Sequence, residues 1–230
     1  MDRETLIRRC FGDRQDTDRK QDGYPFITIS RQTGAGGNKL AEAILSEMEK
    51  CSSSDLYAGW KVFDRDLCTL IAEEKDLDVV LEELLSEEYH SQFSEFINDF
   101  MRARTSQYEV LKRMFQITRT LTSVGKVVIV GHGSSFVTRD LPGGIHLRLV
   151  ASEHDRVRAI MKTKALDKDA AKLEIMRIDK ERMHFVRDYF MHDIDDPLMY
   201  DVVWNTSAEP IEYLASTIVS MIKQKADQLD

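Results

Sequence analysis

Apolar residues recur along this chain with two different periods, and the switches between them mark out its elements. Short aliphatic or β-branched runs stand at "FITIS" (Phe26–Ser30), "WKVFD" (Trp60–Asp64), "KVVIVG" (Lys126–Gly131), "IHLRLV" (Ile145–Val150) and "YDVVWN" (Tyr200–Asn205). Runs of this kind suit strands buried in a parallel sheet. Between them the spacing changes to three and four. Leu40, Ala41, Ile44, Leu45 and Met48 share one face of a helix over Asn38–Lys50, Ser152–Lys164 and Asp169–Met191 are helical, and an amphipathic helix starts near Pro210. Another helix begins near Arg65. Residues Leu77 to Ser123 contain neither glycine nor proline and fit two or three helices, broken near "SEEYHSQ" and "RARTSQ". Strands separated by helices predict right-handed crossovers and a three-layer α/β fold around a parallel sheet.

The first 24 residues stand apart. Leu6, Ile7, Cys10 and Phe11 form one face of a short arm helix, whereas Asp13–Asp22 reads as a solvated linker. Residues 25–230 then form one domain; with 42% of the 230 residues hydrophobic, it can bury a substantial core. A net charge of -8 gives no broad basic field, so nucleic acid is not an expected partner, though a local basic pocket for a small anion is. Cys10, Cys51 and Cys68 lack metal-ligand spacing and read as reduced thiols. The N-terminus carries no apolar run of signal-peptide length, and "VVIV" (Val127–Val130) is too short to cross a bilayer. The expectation is a cytoplasmic protein with no membrane partner and no metal cluster.

Candidate chemistry concentrates where the first strand meets the first helix. "TGAGGN" (Thr33–Asn38) puts three glycines in a strand–turn–helix context. Glycines let successive amides turn inward, and the helix N-terminus favours negative charge, so the loop suits a phosphate. A tight turn without a ligand is the plainer alternative. Asp64 and Asp66 follow the second strand at the expected carboxyl edge of the sheet, where ligands bind in open α/β folds. A carboxylate there could hold magnesium through water or orient an acceptor, with Arg65 gripping a monophosphate; alternatively Asp64 caps a helix and Asp66 complements its dipole. "HDIDD" (His192–Asp196) reads as a polar turn before Pro197.

The ordered pattern "ITISRQTGAGG", "VFDRDL", "VIVGHG", "DKER" and "YDVVWNTS" resembles the cytidylate kinase-like family of P-loop proteins, over about Phe26 to Ile222. The resemblance implies a P-loop NTPase fold: a five-stranded parallel sheet, a helical monophosphate-binding insert (about 77–124) and a mobile lid (about 165–190). It implies transfer of the γ-phosphoryl of ATP to CMP or dCMP with Mg2+. Thr33, Gly34, Ala35, Gly36, Gly37, Asn38 and Lys39 would cradle the nucleotide, and Arg177 and Arg182 would act from the lid. On the same grounds Asn205, Thr206 and Ser207 line an adenine pocket or cap the last helix.

The departures fall on charged positions. Against G-x-x-x-x-G-K-[S/T], Arg31 occupies the first glycine position, Gly37 the lysine position and Asn38 the hydroxyl position. Arg31, a planar guanidinium, is the first candidate to replace the missing ammonium, with Lys39 second. The third strand ends Gly131-His132-Gly133, where well-studied members carry G-R-D to grip the monophosphate. His132 is thus a candidate for phosphate or base, or a half-buried strand-end histidine. Arg177, Lys180 and Arg187 lie in one helical arc and Arg182 is turned away from it; Asp179, Glu181 and Asp188 read as surface partners. Two further readings follow from the losses: a nucleotide-binding module with little turnover, for which Leu77–Ser123 is the candidate partner or homodimer surface, and a kinase for another small acceptor.

Overall fold

β1 (Phe26–Arg31) is the central strand of a five-stranded sheet in which β3 (Val127–Val130) and β4 (Gly144–Val150) flank it, and β2 (Lys61–Phe63) and β5 (Val202–Asn205) take the edges. The order is β2-β3-β1-β4-β5 and every pairing is parallel. The computed structural model describes residues 24–51, 54–64 and 106–229. The helices are α1 (Gly37–Lys50), α2 (Ser106–Val124), α3 (Ser134–Val137), α4 (Glu153–Lys164), α5 (Lys168–Phe190) and α6 (Ile211–Leu229). The N-terminal arm and residues 65–105, with most of the expected helical block, fall outside the described residues.

One sheet face is built as the apolar runs require. Ile27 and Ile29 stand beside Val128 and Val130 on one side and Ile145 and Leu147 on the other. Leu40, Ala41, Ile44 and Met48 of α1 pack on them, as do Leu214, Ile218 and Ile222 of α6. These side chains are buried, each contributing roughly 1.5–3 kcal/mol when removed from water.

The opposite face breaks the pattern. Thr28 pairs with His146 and Ser30 with Arg148, so the middle of the sheet carries a polar patch. Thr28 Oγ1 lies 2.8 Å from Ser135 Oγ and 2.8 Å from His146 Nδ1, and the His146 amide donates to Asp201 Oδ2 at 2.7 Å. Thr28, Ser135 and His146 are thereby partnered, which is the condition for keeping them there. An aromatic cluster of Phe136, Phe185, Phe190 and Tyr200 covers this side.

Burial lowers the His146 pKa from 6.5 to about 4, with Asp201 opposing the shift. Between those values the unfolded chain takes up a proton that the folded one refuses. Stability should therefore be constant above pH 6.5 on this account, fall as pH drops from 6.5 to 4, by about 3 kcal/mol in all, and level off below 4. Urea unfolding midpoints of the parent and of His146→Asn, taken from pH 7 to pH 4, check this: the variant should show a shallower acid slope.

Candidate active site

After β1 the chain enters the glycine loop and then α1. The Gln32 amide donates to Leu149 O at 3.0 Å and the Ala35 amide to Gln32 O at 3.1 Å, tying the loop to β4. Gly34 and Gly36 have φ of 85° and 89°, a left-handed geometry that favours glycine. Gly34 is needed twice over, because a Cβ there would lie 2.7 Å from the backbone oxygen of Arg156 in α4. No side chain caps the N-terminus of α1 at Gly36. The orphan amides of this helix end face the loop mouth and form a cradle suited to an anion.

Arg31 lies across the front of this cradle. Its Cγ and Cδ pass 3.1 and 3.2 Å from where a Gly37 Cβ would be, and its Nη1 is 2.0 Å from the corresponding point at Gly131. The side chain thus occupies room that two missing Cβ atoms leave open. Gly37, which removes the usual lysine, is also what admits the guanidinium. Arg182 reaches the same place from α5: its Nη1 donates to Arg31 O at 3.1 Å and to Thr33 Oγ1 at 3.0 Å. Asp179, one turn earlier, accepts the Thr33 amide at 2.8 Å and the Thr33 hydroxyl at 2.7 Å, and its other oxygen pairs with Arg156 Nη1.

Two cavities adjoin the Arg31–Arg182 contact. The first, about 360 Å³, has the β3–α3 turn as floor and Leu111, Met114, Ile178, Phe185 and Val186 as apolar walls. Its turn is unusual: Gly131, His132 and Gly133 all have positive φ, at 93°, 60° and 65°. A histidine in that region is uncommon and carries backbone strain of the kind found at functional sites. Ser134, 1% exposed, also lines it, and its Oγ has no hydrogen-bond partner among the described residues.

The second cavity, about 430 Å³, is strongly basic; Arg31, Arg148, Arg177, Lys180 and Arg182 border it, against Asp179 and Asp195. Arg148 is buried, donating to Ser30 Oγ at 2.9 Å and to Asp195 Oδ1 at 2.6 Å. Tyr200 completes this corner with bonds to Ser30 Oγ at 3.3 Å and Ile194 O at 2.8 Å, and burial pushes its phenol pKa up, keeping it neutral.

Thr33, Gly34, Ala35, Gly36, Gly37, Arg31 and Arg182 are therefore brought together, with His132 on the floor of the adjoining cavity. Asn38 is exposed at the start of α1. Lys39 points away, exposed, 3.9 Å from Glu212 of α6. Asp64 directly follows β2 at the carboxyl edge; Arg65 and Asp66 lie outside the described residues. Arg177 stands on the solvent side of α5, bonded to Glu174 at 2.8 Å and Glu181 at 2.7 Å, and Arg187 is on the surface beside Asp188. Thr206 Oγ1 donates toward Ala35 O at 3.2 Å, and Ser207 Oγ accepts the Ser152 amide at 2.9 Å, so the end of β5 braces the loop and α4.

Sequence reading missed Arg148, Arg156, Ser134 and the role of Asp179. Only Arg148 left a signal: with His146, it is a polar residue at an alternate position of a strand whose other side chains are apolar.

The sequence profile of the cytidylate kinase-like family matches residues 26–208, and the chain belongs to that family. No curated protein matches it. An uncharacterized protein from Eubacterium ventriosum shares its fold, with a TM-score of 0.67 at 17% identity, covering 87% of this chain and 98% of the other. The shikimate kinase from Bacteroides thetaiotaomicron aligns with a TM-score of 0.44 at 15% identity, over 86% of this chain and 98% of its own. For the dephospho-CoA kinase from Campylobacter jejuni the TM-score is 0.35 at 12% identity, over 86% and 97%. No helix among the described residues is long and apolar enough to cross a membrane.

Proposed function

We propose that this protein transfers the γ-phosphoryl group of ATP to a nucleoside monophosphate of the CMP class. One observation carries the reading: two guanidinium groups, from Arg31 and Arg182, converge on an uncapped glycine loop beside a closed-in cavity. Phosphoryl transfer needs little covalent chemistry from a protein; it needs alignment and neutralisation of charge. The loop amides hold the β-phosphate end of the nucleotide. Arg31 takes the task of the absent lysine, and Arg182 closes on the transferring group from the lid helix α5. The acceptor enters the cavity over the His132 turn.

Magnesium suits this site, because it keeps several waters and takes one or two carboxylates along with substrate phosphates. Asp64, at the carboxyl edge, is the residue that would hold it. When bound, the ion neutralises phosphate charge.

A second reading keeps the chemistry and changes the acceptor. The cavity walls favour it: Leu111, Met114, Ile178 and Val186 present hydrocarbon, and Phe136 and Phe185 present rings. Incubation with ATP, magnesium and a panel of monophosphates and small alcohols separates the readings. ADP released only with CMP or dCMP supports the first, and release with another acceptor supports the second. Tight ATP binding without turnover on any acceptor would leave a nucleotide-binding module.

A further inference from the structure

α5 reaches across the loop and holds its root through one carboxylate, Asp179, and one guanidinium, Arg182. Asp179 Oδ1 receives both the amide and the hydroxyl of Thr33, at 2.8 and 2.7 Å, while its second oxygen pairs with Arg156. A hydroxyl has one proton to give. Because Thr33 gives it to Asp179, its oxygen turns a lone pair toward Arg182, whose Nη1 donates at 3.0 Å. The same nitrogen donates to Arg31 O at 3.1 Å. The carboxylate therefore decides which way the hydroxyl points, and it acts on the guanidinium both through that hydroxyl and directly, with Arg182 Nη1 3.6 Å from Asp179 Oδ1.

We propose that Asp179 is the positioning residue of this site: it latches the lid helix to the root of the phosphate loop and, through the Thr33 hydroxyl, aims Arg182. The inference rests on reading the loop as a nucleotide site and α5 as its lid. Burial separates this latch from an ordinary surface pair. The Asp179 and Arg156 side chains are 27% and 14% exposed, whereas Arg177 and Glu181, on the outer side of the same helix, are 56% and 58% exposed. Exposed pairs of the latter kind contribute little. Charge-assisted bonds to a partly buried carboxylate are shorter and stronger. The latch also leaves the cradle available. It consumes the Thr33 amide, which precedes the glycines, and leaves the uncapped end of α1 facing the loop mouth.

Four variants and two readouts test the latch. Spin labels placed by Met176→Cys on α5 and Glu49→Cys on α1, both exposed positions, report the distance between lid and loop helix in a background with Cys10, Cys51 and Cys68 changed to Ser. Without nucleotide the parent should give one narrow distribution. Asp179→Asn, which removes the charge shared by Arg156 and Thr33, should broaden it; Thr33→Val, which loses the hydroxyl and keeps the amide bond, should broaden it less, and their combination no further than Asp179→Asn alone. Thr33→Ser, which keeps amide and hydroxyl, should preserve the narrow distribution.

In acceptor-dependent turnover, Asp179→Asn should lower kcat about tenfold or more, with ATP affinity changed less than about threefold. Arg182→Ala added to it should cost less than about threefold again. A narrow distribution in Asp179→Asn, or Thr33→Ser broadening it as much as Thr33→Val, overturns the latch. Full additivity of Asp179→Asn and Arg182→Ala overturns the aiming of Arg182. Should ATP fail to bind at all, the nucleotide reading falls, and the distances still decide the latch by themselves.

Discussion

Replacing Arg31 by alanine should cut phosphoryl transfer by about 10²- to 10³-fold, the usual loss when one preorganised charge-stabilising donor is removed. Lysine should restore only part of it, because an ammonium cannot reproduce the planar fork. The informative companion is Gly37→Lys, which rebuilds the ordinary loop sequence and looks like a repair. It should instead reduce activity. Its Cβ would stand 3.1 Å from Arg31 Cγ and 3.2 Å from Cδ, so the two cationic side chains would contend for one channel. Gly131→Ala should come close to Arg31→Ala in rate for the same reason, since the new methyl would sit 2.0 Å from the guanidinium Nη1. The double variant Arg31→Ala/Gly131→Ala should then lose little more than either alone. Steady-state rates with saturating ATP, alongside unfolding midpoints to correct for strain at the φ of 93° at Gly131, check all five. A Gly37→Lys variant faster than the parent would mean that Arg31 does not fill the lysine's place.

What could be read in the sequence and what could not divide along the range of the contacts involved. Each strand and helix seen among the described residues, apart from the short α3, matches an apolar run or period within a residue or two, because those signals are local. Helical geometry alone also separated Arg182 from the arc of Arg177 and Arg187, and the structure puts Arg182 inward and the other two outward. The latch escaped because Thr33 and Asp179 are 146 positions apart, and no period links them. In the sequence Asp179 is one more acid on a charged helix; only the crossing of α5 over the loop turns it into a half-buried acceptor. The polar sheet face was hidden differently. "FITIS" and "IHLRLV" carry polar residues at alternate positions, but only placing β1 and β4 side by side sets Thr28 against His146 and Ser30 against Arg148. The loss of the loop lysine was legible and Arg31 was already the first candidate for its place, but the room its guanidinium takes at Gly131, at the end of another strand, was not.

The two left-handed glycines of the loop should respond unequally to alanine, and the difference locates the cradle. At Gly36 the added methyl would meet Ile211 Cδ1 at 2.7 Å, the far end of a flexible side chain that can swing aside. At Gly34 it would meet Arg156 O at 2.7 Å and Cα at 2.9 Å, backbone atoms held within α4. Both variants carry the left-handed cost of about 1–2 kcal/mol. Gly34→Ala alone adds overpacking against a rigid neighbour, typically about 1–3 kcal/mol. Its unfolding free energy should fall by about 2–4 kcal/mol and that of Gly36→Ala by about half as much. Turnover should follow the same order, because α4 carries Arg156 and cannot be pushed back without pulling Asp179, and with it the lid, off the loop. Equal losses in the two variants would show that α4 yields freely. The loop would then owe its shape to its glycines alone, without the backing of the helix behind it.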